Sequence, residues 1–466
     1  MFRKLFNAIR QVVRKIFSKK SIEDAIKIDL PISDEMTEAI ELWSQMYKDK
    51  APWLDDDNTK SLNLPSAIAG ELARLATIEM KSEITAKESS NSERAEYLNE
   101  QYQKVIDDIR IVTEYAAALG GLIFKPYIDG ENIAVDYVLA DEFIPVKYDS
   151  ASNITAVIFI ERIRKGRKNY TRLEYHDLLK EGYYISNTAY VNENGDESLG
   201  YQVPLTEVEE WADLEPEILL TNVEKPLYSY LKMPMANTID TRSPLGISVY
   251  ARAVGLIEEA DKQYSRILWE YEGSELAINA SMDLFKADNT LPKGKERLYR
   301  KLDTDAEDFF EPFSPAIRDE SLFNGLNKIL QRIEFACGLA YGTLSDVQLV
   351  EKTAEEIKVS KQRSYSTVVD IQKAIKTALT DLVYAMDVYV TLGELAPAGE
   401  YDISFEFDDS LVVDSKTEQA IMLQEVSAGL IKPEIYLMRR YGVSEEQARK
   451  MMPSVNEPQL DDDGIE

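Results

Sequence analysis

Residues 342–358 read GTLSDVQLVEKTAEEIK, and this stretch decides how the second half of the chain is organised. It lies within residues 316–396, a region of 81 residues that contains no proline and is expected to be largely helical. Thr353 and Glu356 have the spacing of a capping box, in which the hydroxyl caps an early backbone N–H group and the glutamate reaches back. A helix is therefore predicted to begin at Thr353, and the residues that follow Gly342 are predicted to form a protruding loop.

Two amphipathic segments before this loop predict a helical hairpin. The first covers residues 243–274, where Ser243-Pro244 provides a helix start. The second covers residues 319–338 and ends near a glycine. Antiparallel packing would place the mixed segment between them, residues 275–318, at the far end of the hairpin. This insert is too small to bury much core, so contact with identical inserts of other subunits is expected to stabilise it.

The predicted fold class is α+β and mainly helical. Residues 34–120 are expected to be mostly helical, with Ser33 as the cap of the first helix. From residue 122 to about 235, apolar and polar residues alternate between glycine- and asparagine-rich turns, which indicates strands. Beyond the loop, a long helix over residues 353–391 and a strand near 401–413 are predicted. The apolar stripe of that helix consists of Val368, Ile371, Ile375, Leu379, Leu382 and Met386.

Charge is distributed unevenly along the sequence. The net charge is −30, although residues 1–20 carry only basic groups among their charged side chains. A body this acidic is poorly suited to clamping nucleic acid through its phosphates, although it could surround DNA without holding it. Residues 2–17 also place apolar side chains at three- and four-residue spacing, which predicts a basic amphipathic helix. That helix could dock on an acidic partner, pack on its own or a neighbouring chain, or lie on a membrane surface.

The scarcity of histidine and cysteine excludes several kinds of catalytic site. A Ser-His-Asp triad or a Cys-His pair could be built only around His176, and a zinc site would have only His176 and Cys337 to draw on. The sequence contains neither a GxxxxGK[ST] nor a GxGxxG phosphate-binding motif. No catalytic residue, cofactor or metal is therefore predicted, and His176 is expected to be a half-exposed strand or turn residue. Acidic clusters at Asp55–Asp57 and Asp408-Asp409 leave a metal-dependent phosphoesterase as a disfavoured alternative.

The cysteine content and the N-terminal sequence indicate the compartment in which the chain folds. One cysteine cannot form an intrachain disulfide, and the N-terminus shows no secretory cleavage pattern, so a reducing cytoplasm is expected. No run of 18 or more apolar residues occurs, which argues against a membrane span.

The order of elements resembles that of the portal proteins of tailed bacteriophages, especially those of phages with Gram-positive hosts. The resemblance covers most of the chain, from the helical N-terminal third onward. Three stretches carry it: SPLGISVYARAVGLIEEADKQYSRIL (243–268), GLAYGTLSDVQLVEKTAEEIKVSKQRSYSTVVDIQKAI (338–375) and DSKTEQAIMLQEVSAGLIKPEIYLMRRYGVSEEQA (414–448).

By this resemblance the chain is one subunit of a ring of about twelve at one capsid vertex. The ring is the channel through which DNA is packaged and later ejected. The implied partners are further copies of the chain, double-stranded DNA, the terminase large subunit, the major capsid and scaffolding proteins, and a head-completion or adaptor protein. The chain is implied to be a virion component that passes through the host cytoplasm during assembly, and not an enzyme. The alternative is an oligomeric scaffold on a membrane surface, anchored by residues 1–20.

The resemblance also implies a division of the chain into regions. In order, these are a basic amphipathic N-terminal helix (1–20), a wing that is helical and then β-rich (21–242), a first stem helix (243–274), a clip (275–318), a second stem helix (319–338), a tunnel loop (339–353), a long wing helix with a wing strand (354–413), a crown (414–455) and an acidic disordered tail (456–466). The tunnel-loop residues expected to face DNA are Ser345, Asp346, Gln348 and Lys352. The clip residues expected to contact the motor or DNA are Lys293, Lys295 and Arg297.

Overall fold

The structure, a computed structural model, divides the chain into two compact units, residues 1–407 and 408–466. The residues that it describes are 22–23, 30–54, 58–87, 91–193, 199–274, 277–281, 299–302, 310–313, 316–346, 354–407, 422–441 and 445–452. Several predictions lie outside these residues: the helix at 1–20, the aspartates at 55–57 and 408–409, the cap at Thr353 and the tail at 456–466.

The N-terminal part of the first unit is helical, as predicted. It contains α1 (Asp34–Tyr47), α2 (Leu64–Thr77) and α3 (Glu93–Leu119). Ser33 caps α1, because its hydroxyl oxygen accepts a hydrogen bond from the backbone N–H of Met36 at 3.3 Å.

One part of the helical prediction is wrong. Strand β1 (Lys81–Ala86) interrupts the helical region, and it pairs in antiparallel fashion with strand β14 (Tyr401–Glu406). Its side chains alternate between exposed and buried positions, as expected for a half-buried strand. Since the pairing partner lies at the other end of the unit, tertiary contacts override the local helical pattern.

A β-rich block follows, as predicted. Its strands are β2 (Gly121–Asp129), β3 (Asn132–Leu139), β4 (Phe143–Tyr148), β5 (Ile154–Lys165), β6 (Lys168–Leu178), β7 (Tyr183–Asn192), β8 (Tyr201–Val203), β9 (Glu217–Leu220) and β10 (Ser229–Lys232). One sheet has the strand order β10-β2-β3, and a larger sheet has the order β4-β5-β6-β7-β8, with β9 also paired to β7.

The predicted hairpin is formed by α4 (Val254–Gly273) and α5 (Asp319–Cys337). The helices are antiparallel: Arg318 pairs with Glu270 at 2.8 Å near the far end, and Gln263 donates to the Leu322 carbonyl at 3.3 Å nearer the middle. The segment between the helices contains β11 (Ala277–Ser281), β12 (Tyr299–Leu302) and β13 (Phe310–Phe313). Strand β11 pairs with β12 in parallel and with β13 in antiparallel fashion, so the insert is the mixed element that the sequence indicates.

The start of the first hairpin helix differs from the prediction. Residues 243–250 are not helical, and all eight are buried. Gly246 lies so close to Gly120 that an added Cβ would approach the Gly120 carbonyl oxygen to 2.1 Å, and Val249 N–H donates to the Ala117 carbonyl at 3.0 Å. This backbone packing against the end of α3 holds the segment in place, so a one-turn 3-10 helix at Ala251–Ala253 leads into α4.

The long helix of the second half is α6 (Ala354–Leu392). At 1.5 Å per residue its 39 residues span roughly 58 Å. Every residue of the predicted apolar stripe is buried, and the helix packs against α2, β2 and β10. Buried Arg94 of α3 joins this helix to the turn beyond it, because its guanidinium donates to the Asp387 carboxylate at 2.7 Å and to the Ala396 carbonyl at 2.9 Å.

The second unit is helical where it is described. Residues 422–427 are helical, and α7 (Pro433–Tyr441) and α8 (Glu445–Met451) follow. Gly429 has a φ of 72°, which is the left-handed conformation that ends a helix, and it lies at the break that the sequence indicates.

His176 is buried rather than half-exposed, which corrects the sequence prediction. It lies in β6 with 1% of its surface exposed. Its Nδ1 atom is 2.8 Å from the Tyr183 hydroxyl, and its Nε2 atom is 2.8 Å from the Glu174 carboxylate. Burial lowers the pKa of His176, against the opposing effect of Glu174. Burial raises the pKa of Glu174, but Lys125, His176 and Arg172 together hold it well below its usual range.

We expect the first unit to lose stability as the pH falls below about 6.5, the ordinary histidine pKa. The folded state holds His176 neutral while the unfolded state takes up a proton, so the histidine contributes up to about 1.4 kcal/mol of lost stability per pH unit. Replacing His176→Gln removes this titration. Urea unfolding followed by tryptophan fluorescence, between pH 7 and pH 5, should therefore show a shallower pH dependence in the variant. Equal pH dependence in both proteins would contradict the assignment.

Candidate functional site

A buried carboxylate on α5 anchors the start of the loop that the sequence singles out. The helix ends at Cys337, Gly338 adopts a φ of 73°, and the side chain of Glu334 turns under the residues that follow. Glu334 has none of its surface exposed. Its Oε1 atom accepts hydrogen bonds from three backbone N–H groups, and its Oε2 atom accepts one from the Ser345 hydroxyl at 2.8 Å. The three N–H donors are those of Gly342 (3.0 Å), Leu344 (2.7 Å) and Ser345 (2.8 Å).

The Glu334 carboxylate and the backbone N–H groups of the turn satisfy each other's need for hydrogen-bond partners. A buried carboxylate is costly unless its oxygens accept hydrogen bonds, and the backbone N–H groups of a tight turn need acceptors when water is excluded. Hydrogen bonds to an ionised acceptor are also stronger than neutral ones. The conformation of residues 342–345 is therefore set by one side chain of the preceding helix.

A second side chain of α5 holds the next residue. Asn327 is buried, and it lies seven residues before Glu334, two turns away on the same side of the helix. Its Oδ1 atom accepts from the backbone N–H of Asp346 at 2.7 Å, and its Nδ2 atom donates to the Asp346 carbonyl at 3.1 Å. The described residues of the loop are thus held against α5 at two positions two turns apart, by Glu334 and by Asn327.

Of the predicted site residues, one is buried, one is exposed, and the others lie outside the described residues. Ser345 is only 6% exposed and its hydroxyl donates to Glu334. It therefore anchors the loop, whereas the sequence analysis expects it to face DNA. Asp346 is exposed, with its backbone held by Asn327. The other predicted site residues, Gln348, Lys352, Lys293, Lys295 and Arg297, lie outside the described residues.

Sequence reasoning missed the two anchoring residues. Asn327 and Glu334 border the apolar stripe of α5, which includes Leu326, Ile333 and Cys337. A polar pair seven residues apart beside such a stripe, with a glycine just after the helix, is a pattern from which buried anchors could be inferred.

Other kinds of site receive no support from the described part of the chain. No cluster of three or more His, Cys, Asp or Glu side chains within it is arranged to hold a metal ion. None of the helices within it combines the length and the apolar character that a membrane crossing requires.

Comparison with known proteins defines the class. The family described as "Phage portal protein, SPP1 Gp6-like" matches residues 26–453. The chain therefore belongs to the SPP1 Gp6-like family of phage portal proteins, which confirms the resemblance seen in the sequence and makes it a structural component of the virion. A comparison with curated proteins gives no significant match.

Solved structures of similar chains are also known. One, described as the neck of a native GTA particle computed with C12 symmetry, aligns with a TM-score of 0.40 and 10% identity over 88% of this chain and 94% of the other. Another, the neck of an empty GTA particle computed with C6 symmetry, aligns with a TM-score of 0.42 and 10% identity over 90% of this chain and 97% of the other.

If Glu334 anchors the loop, substitutions of this residue should change the rate of amide exchange in the loop in a specific order. Glu334→Ala leaves three backbone N–H groups without an acceptor, so we expect amide exchange in residues 338–346 to become about tenfold faster or more. Glu334→Gln should exchange almost like the wild type, because the amide oxygen replaces Oε1 and the amide NH₂ group can donate to the Ser345 hydroxyl.

Hydrogen–deuterium exchange with mass spectrometry of this peptide measures the effect. Glu320→Ala, which removes an exposed acid in the first turn of the same helix, is the matched control. Exchange in Glu334→Ala that remains as slow as in the wild type would show that the carboxylate does not set the conformation of the loop.

Proposed function

We propose that the chain assembles into a ring of about twelve subunits that forms the DNA conduit at one vertex of the capsid. The observation that carries this proposal is the family match over residues 26–453, which spans both compact units. In such a ring the genome passes through the central channel during packaging and again during ejection. The ring assembles in the host cytoplasm and remains in the virion.

The architecture suits such a role. The hairpin of α4 and α5 carries a small β insert at one end and the anchored loop at the other. Large apolar side chains remain exposed on the hairpin, among them Trp269 (68%) and Phe335 (57%). Exposed aromatic groups of this size are typical of surfaces that a partner covers. Head-to-tail contacts between identical hairpins would close into a ring.

The charge of the chain supports a conduit rather than a clamp. A net charge of −30 repels the phosphate backbone, so double-stranded DNA can slide past without being held. Localised contacts would then come from residues near the channel axis. For these we retain Asp346, Gln348 and Lys352 of the loop, and we place Ser345 behind them as an anchor.

The insert between α4 and α5 is the proposed docking region for the packaging motor. Residues 275–318 hold Lys293, Lys295 and Arg297, whose charges suit contact with DNA or with an acidic surface of the terminase large subunit. After packaging, a head-completion or adaptor protein would occupy the same end of the ring. The major capsid and scaffolding proteins would contact the outer part, which corresponds to the wing and crown of the family.

Electron microscopy of the purified protein tests the assembly. We expect closed rings of about twelve subunits, because heterologous contacts that close generate cyclic symmetry. A chain that stays monomeric at micromolar concentration and physiological salt, even when the capsid and scaffolding proteins are supplied, would contradict the proposal.

The role of the loop is tested by charge reversal. Lys352→Glu should reduce the DNA content of assembled particles while rings form normally, because it places a negative charge in the segment proposed to face DNA and leaves the described packing unchanged. Lys180→Glu, which reverses an exposed charge in the turn between β6 and β7, is the matched control. Unchanged DNA filling in Lys352→Glu would remove this residue from the set that acts on DNA.

A further inference from the structure

The hairpin carries a groove whose only charged lining residues are the cations Lys328 and Arg332. The groove lies between α4 and α5 beside the anchored loop, with a volume of about 390 Å³. Lys328, Gln331, Arg332 and Phe335 of α5 line it. Arg363 of α6 contacts one of these lining residues, because its guanidinium lies over the Phe335 ring at 4.2 Å from the centroid.

These donors lack acceptors within the described residues. The Nε2 atom of Gln331 and the Nη1 atom of Arg363 are both buried and have no hydrogen-bond partner. Lys328 and Arg332 are exposed, and no described carboxylate lies within ion-pair distance of either. A buried donor without an acceptor costs about 1–3 kcal/mol. The groove therefore fits a ligand that brings negative charge and oxygen acceptors.

The opposite edge of the same hairpin offers such groups. Glu258 and Glu259 of α4 share one cation, Lys262, at 2.7 Å and 3.4 Å, so the trio keeps an excess negative charge. Helical spacing places Glu258, Lys262 and Trp269 on one stripe, away from the side where Gln263 contacts α5, and Glu259 lies beside that stripe, between it and Gln263. Trp269 is 68% exposed on this stripe.

The two edges also match in height along the hairpin. Leu256 of α4 lines the groove, so the glutamates that follow it lie at the level of Lys328 and Arg332. Hairpins of neighbouring subunits that lie side by side along the ring axis meet at equal heights. A cationic edge and an acidic edge at one height are therefore complementary between adjacent copies.

We propose that this groove receives the Glu258–Glu259 edge of a second copy of the chain. Each subunit then presents its groove to one neighbour and its acidic edge to the other, and the carboxylates pair with the exposed Lys328 and Arg332. The proposal rests on the ring assembly proposed above and assigns the residues that form its contacts. A second copy fits better than DNA, because the complementary acidic edge lies at the matching height and carries an exposed tryptophan that a protein neighbour would cover.

Charge reversal on one edge, and then on both, tests the contact. Lys328→Glu with Arg332→Glu places acids against acids, and Glu258→Lys with Glu259→Lys places cations against cations. We expect either double variant to raise the protein concentration needed for half-maximal ring formation by about tenfold or more. The variant with all four substitutions restores opposite charges and should return to within about threefold of the wild type.

Mass photometry of the purified full-length chains measures ring formation, and circular dichroism checks that each variant is folded. Arg110→Glu with Lys180→Glu is the control for the Lys328 and Arg332 variant, since it reverses two exposed cations elsewhere and changes the net charge by the same amount. If a reversed variant fails to fold, Lys328→Gln with Arg332→Gln replaces it and should still weaken assembly.

The outcomes separate the two proposals. One-edge variants that form rings like the wild type would overturn the groove assignment and leave the proposed function standing. Variants that form normal rings but lose DNA filling would also overturn it, and would assign the groove to DNA. A wild-type chain that forms no rings would count against the proposed function itself.

Discussion

The carboxylate of Glu334 is the constraint on which the functional end of the hairpin depends. Buried in the last turns of α5, it requires hydrogen bonds to both oxygens, and the residues beyond Gly338 can supply them only in one compact turn. The same bonds that satisfy the carboxylate therefore determine the path of the backbone. Ordering each residue of a turn costs about 1–2 kcal/mol of backbone entropy, and the hydrogen bonds to the Glu334 carboxylate offset part of that cost.

The loop is bounded by rigid elements on both sides. On one side, Asn327 and Glu334 hold residues 342–346 against α5. On the other side, α6 begins at Ala354 and its apolar stripe is buried against α2, β2 and β10. Arg94 fastens the far end of α6 to α3 and to the turn at Ala396. The described residues on either side of positions 347–353 are therefore held by packing and hydrogen bonds.

The sequence predicts those parts of the fold that depend on local patterns. The cap at Ser33, the limits of α5 and the buried stripe of α6 all follow from nearby residues. The parts that it does not predict depend on distant contacts. Strand β1 exists because β14 pairs with it, and residues 243–250 are not helical because Gly246 lies against Gly120.

The exposure of individual side chains likewise depends on distant contacts that local sequence patterns do not show. His176 looked like a half-exposed residue because polar neighbours surround it in the sequence, but cross-strand packing buries it. Ser345 looked like a loop residue because Gly342 precedes it, and only the position of Glu334 shows that its hydroxyl points inward. For the candidate site, the sequence does not separate the residues after Gly342 that anchor the backbone from those that remain available for contact.

The central claim is that the segment after the Glu334 anchor faces DNA in the channel. Site-specific photocrosslinking tests this most directly, with a photoreactive amino acid in place of Gln348 and DNA-filled particles as the sample. The account predicts covalent adducts between position 348 and the packaged DNA, and none when the same group replaces Lys180 in the turn between β6 and β7. Filled particles that give no adduct at position 348, or that give as much at position 180, would contradict it.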